Sequence, residues 1–242
     1  MIISPFAQMR HNISPRSGRN AIILFARFPA LGQVKSRLAA SIGWGHATEF
    51  YRLSLENILS ECLELIEMDD ISVHTHIAAG RDAMPMRNIL PPDFFMHIQQ
   101  GDNLGQRMHA SFQHIFAQGA DKAVLAGTDI PDLSASILHQ AFESLNQADI
   151  VLGPSDDGGF YLIGMNKPCK ELFHGIAWST PAVLQQVLDN ATHLQMKYIL
   201  LPALDDIDTL SDLHRWNKKT NSASPLKGYA ERIIRDFPMA NY

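Results

Sequence analysis

Two cysteines are all that the 242 residues offer, Cys62 and Cys169, and they stand far apart without the paired spacing of a zinc site or a redox motif. A disulfide framework and a cysteine-held metal cluster are excluded as the basis of the fold. Positive charge is also scarce: 20 Lys and Arg against 25 Asp and Glu leave a formal net charge of −5. A general nucleic-acid binder needs a basic surface to displace counterions, so no nucleic-acid partner is expected and any contact with phosphate must be local. No stretch approaches the roughly 20 apolar residues of a membrane span. The first nineteen residues carry Pro5, Arg10, Pro15, Arg16 and Arg19 but no apolar centre of a secretory signal. A cytoplasmic protein is expected, with a flexible N-terminal extension over 1–19 and one domain over 20–242. The glycine spacing of a Walker A loop or dinucleotide fingerprint is missing, as is a Gly-x-Ser-x-Gly elbow.

What the chain does contain is a 46% hydrophobic share, enough to build a large core without staples. Ala21-Ile-Ile-Leu-Phe-Ala26 is a continuous apolar run ending at turn residues, the pattern of a strand buried on both faces of a parallel sheet. From His46 to Glu67 the apolar residues Leu55, Leu59, Leu63 and Ile66 recur at helical spacing. Strands are then expected at 71–78, 122–126, 149–152, 160–165 and 198–201. Helices are expected at 103–118 and 134–146, from Thr180, and around 229–236, with a loop from Lys218 to Pro225. Such alternation implies an α/β, three-layer α/β/α architecture with a mostly parallel central sheet, whose ligands bind beyond the carboxyl ends of the strands.

Four loops fall at that edge. In Arg27 to Leu38, Pro29 and Gly32 shape a turn while Arg27, Lys35 and Arg37 supply cations, which suits a diphosphate; a solvated basic loop is the plainer reading. Gly127-Thr-Asp-Ile-Pro131 places Asp129 where a carboxylate holds Mg²⁺ or Mn²⁺ or else caps a turn. Gly153 to Tyr161 carries Asp156, Asp157, Gly158 and Gly159, either a ligand-approaching loop in which Asp157 orients an acceptor hydroxyl, or a simple hairpin turn. Asp205 to Asp212 offers Asp208 as a second metal ligand or a helix cap. Ser179 or Thr180 would cap a helix, and Trp178 would line a sugar or base pocket. His74 and His76 share one face of an expected strand without a third ligand at suitable spacing, so zinc is not expected.

Taken in order, these loops resemble a family with the nucleotide-diphospho-sugar transferase, or glycosyltransferase-A-like, fold. Its members are labelled glycosyltransferases, some assigned to arsenosugar biosynthesis, and are related to phospholactate guanylyltransferase. The stretches that carry the resemblance are Phe25 to Leu38, Gln100 to Met108, Gly127 to Pro131, Gly153 to Gly164, Trp178 to Thr180 and Asp206 to Thr209. The resemblance implies that Ala26, Arg27, Gly32, Lys35 and Arg37, with Gly101, Leu104, Gly105 and Arg107, hold the nucleotide and its phosphates. It assigns the metal to Asp129 and Asp208, and the donor or acceptor pocket to Asp157, Gly158, Gly159, Trp178, Ser179 and Thr180. A single aspartate stands at Gly127-Thr-Asp-Ile130, where many enzymes of the fold carry Asp-x-Asp. The expected activity is metal-assisted glycosyl transfer from a nucleotide sugar to a small-molecule acceptor, with Asp129, Asp157 and Lys35 as the catalytic groups. The alternatives are nucleotidyl transfer from a nucleoside triphosphate to a phosphorylated acceptor, and a nucleotide-binding protein without catalysis.

Overall fold

A computed structural model describes residues 19–68, 70–78, 84–220 and 224–238. The extension expected at 1–19 lies outside these residues except for Arg19, as do residues 221–223 of the expected Lys218–Pro225 loop. Arg19 itself is tied to the domain, its guanidinium 2.7 Å from Asp121 and its backbone N–H donating to the Asp70 carboxylate.

The described residues form a three-layer α/β/α fold around a seven-stranded sheet. Strands β1 (Asn20–Ala26), β2 (Ile71–Ile77), β3 (Phe95–Ile98), β4 (Lys122–Gly127), β5 (Ile150–Pro154), β6 (Phe160–Met165) and β7 (Tyr198–Leu200) lie in the order β3-β2-β1-β4-β6-β5-β7. Only β6 runs against its neighbours β4 and β5; the other pairings are parallel. The apolar run of β1 is buried on both sides, as its composition requires. Ile22 and Leu24 face one core with Leu55, Leu59 and Leu138, and Ala21 and Ile23 face another with Phe112, Ile115 and Val187.

Among the described residues six α-helices complete the fold: α1 (Ser36–Met68), α2 (Leu104–Ala117), α3 (Ala135–Ser144), α4 (Val183–His193), α5 (Leu210–Lys219) and α6 (Pro225–Asp236). Helices α1 and α3 cover the first core and α2 and α4 the second. A third core forms where Leu38, Ile42 and Phe50 of α1 meet Trp216 of α5 and Ile233 of α6. Helix α1 begins ten residues before the expected His46 because it is two helices joined at Gly43 (φ 82°, ψ 155°), and the break interrupts the apolar register on which periodicity depends. Strand β3 escaped the sequence reading because Phe-Met-His-Ile has no alternation and pairs only on one side, with β2. The Asp-Gly turn does join β5 and β6 as an antiparallel hairpin, so the plain reading of that motif holds for the backbone.

One glycine in the β5–β6 pair is demanded by packing. A methyl group on Gly164 would lie 2.7 Å from Val151 Cγ1 and 3.1 Å from Val124 Cγ2, inside the sheet. Gly164→Ala is expected to destabilise the protein by roughly 1–3 kcal/mol through overpacking, read as a shift in the denaturant midpoint.

Candidate active site

Strands β1 and β4 are parallel neighbours, so the loops after Ala26 and Gly127 emerge side by side. Tyr51, buried in α1, joins them. Its hydroxyl accepts from Arg27 N at 2.9 Å, lies 3.2 Å from Arg27 O and is 3.1 Å from Thr128 Oγ1. Ser54, one turn on, donates to Thr128 O at 3.1 Å. Burial above all, and then the Asp129 charge, push the Tyr51 phenol far above its ordinary range, so it stays a neutral donor and acceptor. Nothing in the sequence marked Tyr51, which reads as one more residue of an amphipathic helix. Tyr51→Phe leaves the Arg27 and Thr128 groups short of a partner, with an expected cost of about 1–3 kcal/mol in chemical denaturation.

Lys35 is the hub of the site. Its side chain is only 3% exposed, and Nζ lies 3.4 Å from Asp129 Oδ1 and 3.5 Å from Asp208 Oδ1. Arg37 Nη1 reaches Asp208 Oδ2 at 3.2 Å from the solvent side. Three loops distant in sequence, after β1, β4 and β7, are thereby pinned to one ammonium. Lys35 has φ 52°, in the left-handed region that costs a non-glycine residue of order 1–3 kcal/mol, and Ser179 across the cavity has φ 65°. Both strained positions flank the same space.

The helix-cap reading of Asp129 and Asp208 is excluded by the caps that are present. Helix α5 is capped by Thr209, whose hydroxyl accepts from Asp212 N while the Asp212 carboxylate accepts from Thr209 N, a reciprocal capping box. Helix α3 is capped by Ser134. Asp208 and Asp129 cap neither helix, and their carboxylates are turned to Lys35. Asp206, half-buried beside them and assigned no role from the sequence, has its carboxyl pushed up to about 6, first by burial and then by the charges of Asp208 and Asp157.

Asp157 sits at the tip of the β5–β6 hairpin. Its Oδ1 accepts from Ser155 Oγ at 2.5 Å and from Gly159 N at 2.9 Å, so the carboxylate shapes the turn as well as facing the cavity. Gly158 (φ +85°) lets that tip press against the segment before α4, where a methyl group would lie 2.2 Å from Pro181 O, and its own carbonyl accepts from Leu184 N. Thr180 does not cap α4, whose N-cap is Ala182; its hydroxyl donates to Ala177 O at 2.8 Å and shapes the approach. Trp178 lies over Gly105, where a methyl group would meet the indole at 2.7 Å, and so joins the α4 approach to the start of α2. Asn103 caps α2, accepting from Gln106 N, and the Gly101 backbone (φ +129°) packs against that first turn.

These segments line a cavity of about 1110 Å³, slightly above the usual range for small-molecule sites. Of the residues expected from the sequence, Ala26, Arg27, Arg37, Leu104, Arg107, Asp129, Asp157, Gly159, Trp178, Ser179, Thr180 and Asp208 line it. Lys35 stands behind the wall; Gly101, Gly105 and Gly158 sit where an added methyl group would collide with neighbouring segments, and Gly32 (φ 81°) lies in the turn after β1 without such a neighbour. Arg215, Tyr161, Asp206 and Gln99 also line it and were not singled out in the sequence. Among the described residues no group of three His, Cys, Asp or Glu side chains has metal-binding geometry. The donor set still fits an ion that takes one or two protein carboxylates and completes its shell with substrate phosphates and water, because Asp129 and Asp208 are solvent-reachable and already converge on one cation.

The profile of a family described as "Uncharacterized protein conserved in bacteria (DUF2064)" matches residues 62–180. Comparison with curated proteins gives no match. Among solved structures, a protein of Desulfovibrio desulfuricans G20 provisionally named a nucleotide-diphospho-sugar transferase is 29% identical, with a TM-score of 0.83 over 91% of this chain and 98% of that one. The inositol-1-phosphate CTP transferase of T. maritima aligns over 91% of this chain and 98% of its own at 14% identity and a TM-score of 0.50. A cytidylyltransferase of Leptospira borgpetersenii aligns over 93% and 99%, at 14% identity and a TM-score of 0.52. The chain has the nucleotide-diphospho-sugar transferase-like fold that its loops resembled.

Proposed function

We propose that the protein is a nucleotide-utilising transferase that moves a glycosyl group from a nucleotide-diphospho-sugar to a hydroxyl of a small-molecule acceptor. The observation that carries this reading is the convergence of Arg37, Asp129 and Asp208 on the wall of a cavity large enough for a nucleotide sugar, with Lys35 buried between the two carboxylates. The likeness to a protein named a nucleotide-diphospho-sugar transferase supports it.

In this reading Lys35 and Arg37 stabilise the charge that builds on the diphosphate as the glycosyl bond breaks, and they are worth most in a site held rigid beforehand. Tyr51 keeps the two cationic and acidic loops at fixed spacing, so no reorganisation is needed at that moment. Trp178, propped by Gly105, offers a flat apolar wall to a sugar or base. Asp157, with Oδ1 held by the turn, directs Oδ2 at the acceptor hydroxyl and accepts its proton. Asp129 and Asp208 would hold Mg²⁺ or Mn²⁺, which supplies further neutralisation of diphosphate charge when bound.

A second reading, nucleotidyl transfer from a nucleoside triphosphate, is favoured by the four arginines on the cavity wall, Arg27, Arg37, Arg107 and Arg215. Incubating the protein with nucleotide sugars or nucleoside triphosphates and a set of acceptors separates the two. Glycosyl transfer yields nucleoside diphosphate and a glycosylated acceptor. Pyrophosphate release from a triphosphate with no sugar donor present would reject it in favour of nucleotidyl transfer, and tight binding without turnover would leave a nucleotide-binding protein.

A further inference from the structure

Beneath α2, at the β3 edge of the sheet, the fold gathers four histidines from three elements. His74 and His76 of β2 are 4% and 3% exposed. His97 of β3, placed opposite His76 by the strand register, is half-buried, and His114 of α2 closes the group from outside. His74 Nδ1 lies 3.1 Å from His97 Nε2, and the rings of His97 and His114 meet edge-on at 4.7 Å. His76 Nδ1 bonds Ser111 Oγ of α2 at 2.9 Å, while His76 Nε2 is buried without a partner. The rest of the surround is neutral: Ser72 on His74 Nε2, Phe25 and Phe95 against the rings, and Gln118 on His114. Among the described residues, the charged or titratable groups acting on His74, His76 and His97 are one another and His114, with no carboxylate among them.

We propose that these four histidines form a proton-operated latch, which when neutral holds α2 and β3 against the sheet and when charged releases that corner with Gln99, Leu104 and Arg107 of the cavity wall. The neutral state is self-consistent, because the His74–His97 contact needs one donor and one acceptor, which two charged rings do not supply, and a proton added at His76 Nε2 has no acceptor there. A cation formed there meets no anion among the described residues, and each further proton sets like charges against one another. Burial first, and then the neighbouring histidines, hold His74 down to about 3 and His76 down to about 2. A histidine in the opened or unfolded chain titrates near 6.5. The folded values lie below the open one, so the latch contributes fully above pH 6.5 and its contribution is lost as pH falls from there toward 3. At pH 5.5 each buried histidine that regains 6.5 on opening favours the open form about tenfold relative to pH 7.5, and the pair together on the order of 100-fold.

Amide hydrogen exchange on the full chain at pH 7.5 and 5.5, corrected for intrinsic rates, reads the latch without any ligand. It is therefore independent of the function proposed above. The expected result is an increase on the order of 100-fold in opening of residues 95–98 and 104–117, with α5 and α6, which pack on α1, changed by less than about threefold. In His76→Gln, or in His74→Gln should the first fail to fold, the ratio between the two pH values should fall to about tenfold, whatever the variant's stability at pH 7.5. An unchanged ratio in either variant overturns the latch, as does an equal rise in α5 and α6. Loosening of α2 by EDTA at pH 7.5 would overturn it in favour of a metal held by the histidines.

Discussion

Lys35→Ala is expected to lower kcat/KM by roughly 10²–10³-fold while leaving the fold in place, because it removes the buried positive charge that holds Asp129 and Asp208 together at the cavity wall. Its two carboxylate partners are partly exposed, Asp129 at 54% and Asp208 at 36%, so water takes over much of their solvation and the loss of ion pairing costs little stability. The strain at φ 52° supports the same division of roles: alanine at that position is no less strained, so the substitution isolates the ammonium. Lys35→Arg should not restore the rate, since a planar guanidinium does not fit a position that is 3% exposed and shared between two carboxylates. Release of nucleoside diphosphate from the donor, set beside the thermal transition of each variant, checks both halves of the expectation. A Lys35→Ala protein that turns over within about threefold of wild type would place the chemistry elsewhere.

Asp129→Asn is expected to cost on the order of 10²-fold or more in turnover and to abolish the dependence of ligand binding on Mg²⁺ or Mn²⁺, because an amide is a weaker ligand for a hard cation than a carboxylate. The variant keeps the shape of the side chain and the Tyr51 tie between the loops, so a loss confined to metal-dependent binding is distinguishable from a collapsed site. Titration of the metal against a bound nucleotide in the two proteins measures it. Unaltered metal dependence in Asp129→Asn would remove Asp129 from the metal site.

Much of this site was legible in the sequence because its loops follow apolar runs, and a buried parallel strand announces where its carboxyl end lies. Lys35, Asp129, Asp157 and Asp208 stand on such loops, and their joint order suggested the fold. What periodicity cannot convey is contact between elements. Tyr51 reaches the Arg27 and Thr128 loops only because α1 packs across β1 and β4. Asp206 is unusual only because folding half-buries it among other carboxylates. The cap reading of Asp208 is removed by Thr209 and Asp212, which satisfy the α5 terminus between them, while its metal role is a proposal. At Asp157 the hairpin reading holds and does not exclude a site role, since one carboxylate oxygen makes the turn that brings the residue to the cavity. His74 and His76 were set aside for want of partners within reach along the chain, and β3 and α2 bring His97 and His114 to them from over twenty residues away.

The central claim is that Lys35, Arg37, Asp129 and Asp208 form a metal-assisted site for a nucleotide diphosphate. Thermal unfolding with a panel of nucleoside diphosphates, triphosphates and nucleotide sugars, each with and without Mg²⁺ or Mn²⁺, tests it most directly, because a ligand that binds only the folded state raises its stability. The account predicts a rise of several degrees for at least one nucleotide sugar and its nucleoside diphosphate, dependent on the metal and absent in Lys35→Ala and Asp129→Asn. A panel that leaves the transition unmoved, or a rise that both variants retain, would contradict it.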